Sequence, residues 1–178
     1  MADRVILLLG GARSGKSRTA EQWARERGGR VLFIATAQAF DDEMRERIAQ
    51  HRAERPPDWD TLEQPLHMAA LPQLLDYDVV IVDCITLLAS NALLTLPDDC
   101  TQAEATAAVI NEVEALLRAA EQSRATWLII SNEVGMGVVP PYRLGRLYRD
   151  ALGSANQRLA THADEVYLLV AGLPWRLK

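Results

Sequence analysis

Cysteine is scarce: Cys84 and Cys100 are the only two in 178 residues. Two are too few for a disulfide framework, and no C-x-x-C pair offers a redox or metal motif. Cys84 closes an apolar run and is expected as a buried, reduced thiol. A basic excess is also missing. Lys and Arg number 19 against 24 Asp and Glu, a formal net charge of −5. That balance argues against a general binder of nucleic acid or of anionic membranes, while leaving room for a local basic site. No apolar run reaches the length of a membrane span, and no basic n-region with a cleavage pattern opens the sequence. A cytoplasmic location is the expectation. Internal repeats and low-complexity linkers are absent too, and the length suits one domain, 1–178, with a hydrophobic core of its own.

What is present starts with Gly10-Gly11-Ala12-Arg13-Ser14-Gly15-Lys16-Ser17. It fits G-x-x-x-x-G-K-[ST] in full, after the apolar run Val5–Leu9 and before a helical pattern starting near Arg18. Its glycines let the backbone wrap around phosphates, with N–H groups pointing into one concavity and a helix dipole behind them. Lys16 is expected to reach the outer phosphates and the Ser17 hydroxyl to help hold Mg²⁺. The motif predicts binding of a nucleoside triphosphate.

Further strands are predicted over Val31–Thr36, Val79–Asp83, Thr126–Ser131 and Glu165–Val170, with a short extended piece at Trp59–Gln64. Helices are predicted over Arg18–Arg27, Asp41–Ala53, Leu66–Leu75, Ile85–Leu96, Gln102–Gln122 with Thr101 as N-cap, and Tyr142–Thr161 with Gly153 interrupting it. Gly172-Leu173-Pro174 turns the chain into Trp175–Lys178, an expected antiparallel edge strand. Alternating strands and helices predict an α/β fold with a largely parallel sheet. In such sheets ligands sit at the C-terminal ends of the strands, where Ser17, Thr36, Asp83 and the Asn132-Glu133 loop all fall. Asp83 ends a β-branched strand and is the expected second metal-side residue.

The segment Arg47 to Glu63 adds a second chemical element. His51 stands among Arg47, Arg52 and Arg55. A lone histidine on a charged helix is most often a solvated residue. A neutral imidazole is also a covalent catalyst, and the arginines equally suit phosphate groups. The residues alone leave both open. Beyond them, the sequence resembles the bifunctional adenosylcobinamide kinase/adenosylcobinamide-phosphate guanylyltransferase family of cobalamin biosynthesis. The resemblance rests on Gly10–Ser17, Phe33-Ile34-Ala35-Thr36, Asp41–Met44, Arg47-Ile48 through His51-Arg52, Arg55-Pro56, Trp59, Thr61 and Glu63. It continues through Val82–Thr86 with Asn91, Ser131–Gly135, Arg149-Asp150, Gly153, Asn156-Gln157, Ala163-Asp164 and Gly172–Pro174. One departure is Leu88-Ala89-Ser90, where relatives tend to carry Trp.

The resemblance implies a P-loop NTPase fold, RecA-like, with flanking helices around the sheet. It implies phosphorylation of adenosylcobinamide with ATP or GTP. Transfer of GMP from GTP to adenosylcobinamide phosphate then follows through a GMP-histidine that maps onto His51. His67 and His162 lie outside its motifs. The implied nucleotide site comprises Gly10, Gly11, Ala12, Arg13, Ser14, Gly15, Lys16 and Ser17, with Ala35, Thr36, Arg52, Arg55, Glu63 and Asp83. Lys16 and His51 are catalytic in it, and Ser17 and Asp83 hold Mg²⁺. Glu63 has acceptors suited to the N1 and N2 donors of guanine. Family members are typically homotrimers. The same fold also serves RecA-like ATPases that act on nucleic acid, and plain small-molecule kinases. The missing basic stripe weighs against the first, and His51 separates the second.

Overall fold

A computed structural model describes residues 3–38, 46, 55–72 and 74–178. Apolar runs form the sheet: β1 (Arg4–Gly10), β2 (Val31–Ala35), β3 (Asp60–Glu63), β4 (Val79–Asp83), β5 (Thr126–Ile130), β6 (Glu165–Val170) and β7 (Leu173–Arg176). The seven strands lie in the order β3-β2-β4-β5-β1-β6-β7, and only the β6–β7 pair is antiparallel. Every residue of β2 and β5 is buried, as expected for parallel strands covered on both faces. Helices α2 (Ile85–Leu93), α3 (Gln102–Glu121) and α4 (Arg143–His162) cover one face over Leu7, Val80, Val82, Trp127 and Ile129. Helix α1 (Lys16–Arg27) covers the other, where Ala20 and Ala24 meet Ile6, Leu8, Ile81, Leu128 and Ile130. The alternation along β1, β2, β4 and β5 therefore assigns their buried apolar side chains to one or other of two cores. No helix among the described residues is long and apolar enough to cross a membrane.

Several elements differ from the sequence expectation. The helix predicted over Leu66–Leu75 shrinks to one 3-10 turn, Met68–Ala70. Pro72 holds the preceding Leu71 extended, at φ −57° and ψ 135°, because its ring disfavours a helical residue before it. Met68 is fully buried and anchors the turn, with its N–H donating to Glu112 of α3 at 2.7 Å. Gly153 does not interrupt α4, which runs unbroken from Arg143 to His162. A glycine costs a helix about 1 kcal/mol, and the buried row Leu147, Ala151, Leu152, Ala155, Leu159 outweighs it. The edge strand starts at Leu173 rather than Trp175 and takes in Pro174. A proline is tolerated there because an edge strand has one unpaired side. Helix α2 stops at Leu93, short of Leu96. The predicted helix Asp41–Ala53 lies, apart from Glu46, outside the described residues.

Thr101 does cap α3. Its hydroxyl accepts from the Glu104 N–H at 3.2 Å while the Glu104 carboxylate accepts from the Thr101 N–H at 2.7 Å. The Thr101 N–H, joined by the Thr101 hydroxyl at 2.8 Å, donates to the Glu104 carboxylate and holds it below its ordinary pKa. Thr101→Ala should cost about 1 kcal/mol of stability, read as a lower urea midpoint with an unchanged slope.

Candidate functional site

The turn from β1 into α1 is built by glycine. Gly10 has φ +152°, and a Cβ there would lie 2.6 Å from both the Leu169 carbonyl oxygen and Ser14 Oγ. Gly15 has φ +97° and passes so close to Gly172 that a Cβ would meet its Cα at 3.1 Å. The turn is also braced from outside, because the Gly172 N–H donates to the Ser14 carbonyl at 2.9 Å. Arg13 takes the left-handed conformation at φ 56°. Inside the turn, the Lys16 ammonium donates to the carbonyls of Gly10 at 3.0 Å and Gly11 at 2.7 Å, with Ser14 Oγ at 3.5 Å. Lys16 is 7% exposed. Burial lowers its pKa, opposed by the nearby Cys84 and Asp83. An ammonium beside N–H groups at a helix N-terminus is chemistry suited to an oxyanion.

The ends of β2 and β4 meet next to this turn. Ala35 pairs with Asp83, and the buried Thr36 hydroxyl both accepts from the Cys84 N–H at 2.8 Å and donates to the Cys84 carbonyl at 2.7 Å. Asn91 of α2 donates to the carbonyls of Thr36 and Pro65. Cys84, expected buried, is partly exposed as a residue and carries a free thiol. Burial of that thiol, with the Asp83 charge beside it, pushes its pKa up to about 11, so it stays protonated and is a poor nucleophile.

The end of β5 is fixed by two helices, α2 and α4. Ser131 donates from its hydroxyl to Asn156 Oδ1 at 2.6 Å, and Asn156 Nδ2 donates to the Asn132 carbonyl at 3.0 Å. The Asn132 N–H donates to Thr86 Oγ1 at 3.0 Å. Tyr148 donates to the Thr86 carbonyl, and burial raises its phenol pKa above the usual range.

The family model described as cobinamide kinase / cobinamide phosphate guanyltransferase, CobU, matches residues 6–177. The chain belongs to the CobU family. A Pseudomonas aeruginosa relative, "Bifunctional adenosylcobalamin biosynthesis protein CobP", is 46% identical over 174 residues, covering 97% of this chain and 96% of its own. The Salmonella typhimurium protein "Bifunctional adenosylcobalamin biosynthesis protein CobU" is 41% identical over 181 residues, covering 98% and 99%. Among solved structures, the flagellar accessory protein FlaH of Methanocaldococcus jannaschii superposes with a TM-score of 0.51 at 13% identity, over 99% of this chain and 78% of its own. The type III secretion ATPase EscN of enteropathogenic E. coli gives 0.57 at 12% identity, over 95% and 43%. These two likenesses establish a shared P-loop NTPase fold and nothing of function.

In this CobU-family chain the structure gathers Gly10–Ser17, Ala35, Thr36 and Asp83 at one end of the sheet. Glu63 also lies at a strand end, in register with Ala35, but β3 stands four strands from β1. At about 4.8 Å per spacing that is roughly 19 Å from the phosphate loop. Arg55 sits with its guanidinium 3.7 Å from the centre of the Phe33 ring. His51 and Arg52 lie outside the described residues. No local pattern signals that Gly172 braces the phosphate loop or that Asn156 and Thr86 clamp the end of β5, since these contacts join segments distant in sequence. Thr36→Val keeps the side-chain shape but leaves the Cys84 N–H and carbonyl without their shared partner. It should lower stability by about 2 kcal/mol, measured by urea denaturation.

Proposed function

We propose that this chain phosphorylates the hydroxyl of adenosylcobinamide with ATP or GTP, then transfers GMP from GTP to the resulting phosphate through a GMP adduct of His51, giving adenosylcobinamide-GDP. The observation carrying this is the family match from residue 6 to residue 177 over a phosphate loop whose lysine, Lys16, lies within electrostatic reach of Asp83.

In the kinase step the acceptor oxygen bonds to the γ-phosphorus as the bridging bond to the β-phosphate breaks. The electron pair leaves with the nucleoside diphosphate, and the hydroxyl proton passes to solvent. Catalysis of this kind is positioning and charge neutralisation, which Gly10, Gly11, Ala12, Arg13, Ser14, Gly15, Lys16 and Ser17 supply. Lys16 must exchange its bonds to the Gly10 and Gly11 carbonyls for phosphate oxygens. In the guanylyl step a ring nitrogen of neutral His51 bonds to the α-phosphorus and pyrophosphate departs toward the same loop. The acceptor's phosphate oxygen then takes the GMP, and the N–P bond breaks to restore His51. Arg52 and Arg55 offset phosphate charge. Ala35, Thr36 and Glu63 line the nucleotide's other end, and the roughly 19 Å offset of β3 from β1 supports a nucleotide lying across the strand ends.

The Ser17 hydroxyl and the Asp83 carboxylate form a sparse set of hard oxygen donors that fits Mg²⁺, which keeps several waters and binds through one or two protein groups plus phosphate. When bound there it neutralises phosphate charge. A homotrimer working in the cytoplasm completes the proposal, on family resemblance.

Incubation of the protein with α-labelled GTP and Mg²⁺, without cobinamide, should give an acid-labile protein-bound label that His51→Ala abolishes. An unlabelled wild-type protein would sink the covalent route. Lys16→Ala should lower both activities by at least about 10²-fold. Retention of either at the wild-type rate contradicts a shared phosphate loop.

A further inference from the structure

The parallel ladder between β5 and β1 does not stop where the strands do. Ile130 pairs with Leu8. Beyond it the Ser131 N–H donates to the Leu8 carbonyl at 3.0 Å, and the Glu133 N–H donates to the Gly10 carbonyl at 3.1 Å. The backbone is therefore still strand-like through residue 133, and successive side chains still alternate between the two faces. Trp127 and Ile129 belong to the core under α3 and α4, and the Ser131 hydroxyl continues that row by bonding Asn156 of α4. Leu128 and Ile130 belong to the core under α1. Asn132 is the next member of that second row, the row on the side of the phosphate loop.

The same face carries Asp83, which follows Val79 and Ile81 of the α1-side core and pairs with Ile130 in register. On the other flank, continuing the register from Leu8 and Ile130 brings Asn132 opposite Gly10, the first glycine of the loop. Because β5 lies between β4 and β1, the Asn132 carboxamide is placed between Asp83 and the turn that holds Lys16. Its backbone is held on both sides, through the N–H by Thr86 of α2 and through the carbonyl by Asn156 of α4. Among the described residues its side chain has no hydrogen-bond partner, although both of its backbone polar groups do.

We propose that Asn132 is the residue that recognises the terminal phosphoryl group of the triphosphate, donating from its amide to a γ-phosphate oxygen. An amide suits this task. It gives a donor without adding a positive charge beside Lys16, and it cannot take a proton from the acceptor hydroxyl. The clamp of Thr86 and Asn156 fixes its position before the nucleotide arrives, which is what a contact made to a reacting group requires. The proposal rests on the nucleotide site of the proposed function and assigns to it a contact specific to the γ-phosphate.

The test compares GTP and GDP, each with Mg²⁺, by calorimetric titration in a His51→Ala background that has no guanylyl acceptor. Asn132→Ala should weaken GTP about tenfold or more, the cost of losing a hydrogen bond to a charged group, and leave GDP within about twofold. Asn132→Asp, of the same size, should weaken GTP further by setting a carboxylate against the phosphate. Equal losses for GTP and GDP in both variants, or no loss in either, overturn the role of Asn132 while leaving the proposed function standing. A His51→Ala parent that binds neither nucleotide overturns both.

Discussion

The buried ammonium of Lys16 is the constraint on which the site depends. A charge only 7% exposed is costly unless its donors are matched, and in this structure the carbonyls of Gly10 and Gly11 match them. Those carbonyls point inward because Gly10 has a backbone that a side chain at that position would obstruct. The loop is thus shaped around its own lysine. Asp83 and the end of β5 then need only be brought alongside, which the strand order accomplishes.

Much of this was legible in the sequence because the signals were local. The phosphate loop is a contiguous motif, Asp83 ends a β-branched run, and Thr101 is an N-cap residue just ahead of a helical pattern. Other features failed where a neighbour overrode the local pattern. The segment Leu66–Leu75 has helical composition, yet Pro72 limits it to a single turn. Gly153 looked like a break, yet the buried face of α4 carries the helix through it. Still others were beyond any local signal. Nothing near Asn156 says that it holds Asn132, and nothing near Gly172 says that it touches Ser14, because both facts arise only when the sheet orders its strands.

The comparisons separate fold from chemistry. Proteins at 12% and 13% identity share the fold, while the matches at 41% and 46% run over nearly the whole chain. A nucleotide-binding fold is a platform, and what distinguishes its users lies in the residues set at the strand ends. In this chain the described residues at those ends include Thr36 and Asp83, the clamp around Ser131 and Asn132, and the turn of the β6–β7 hairpin.

That hairpin carries one more consequence. Gly10–Ser17 leave the ribosome long before the Gly172 N–H that braces Ser14. Since chains are synthesised from the N-terminus, the turn waits without that brace until the β6–β7 hairpin has been made. Its final shape follows its own synthesis by a long interval, set by the closing of a hairpin distant in sequence.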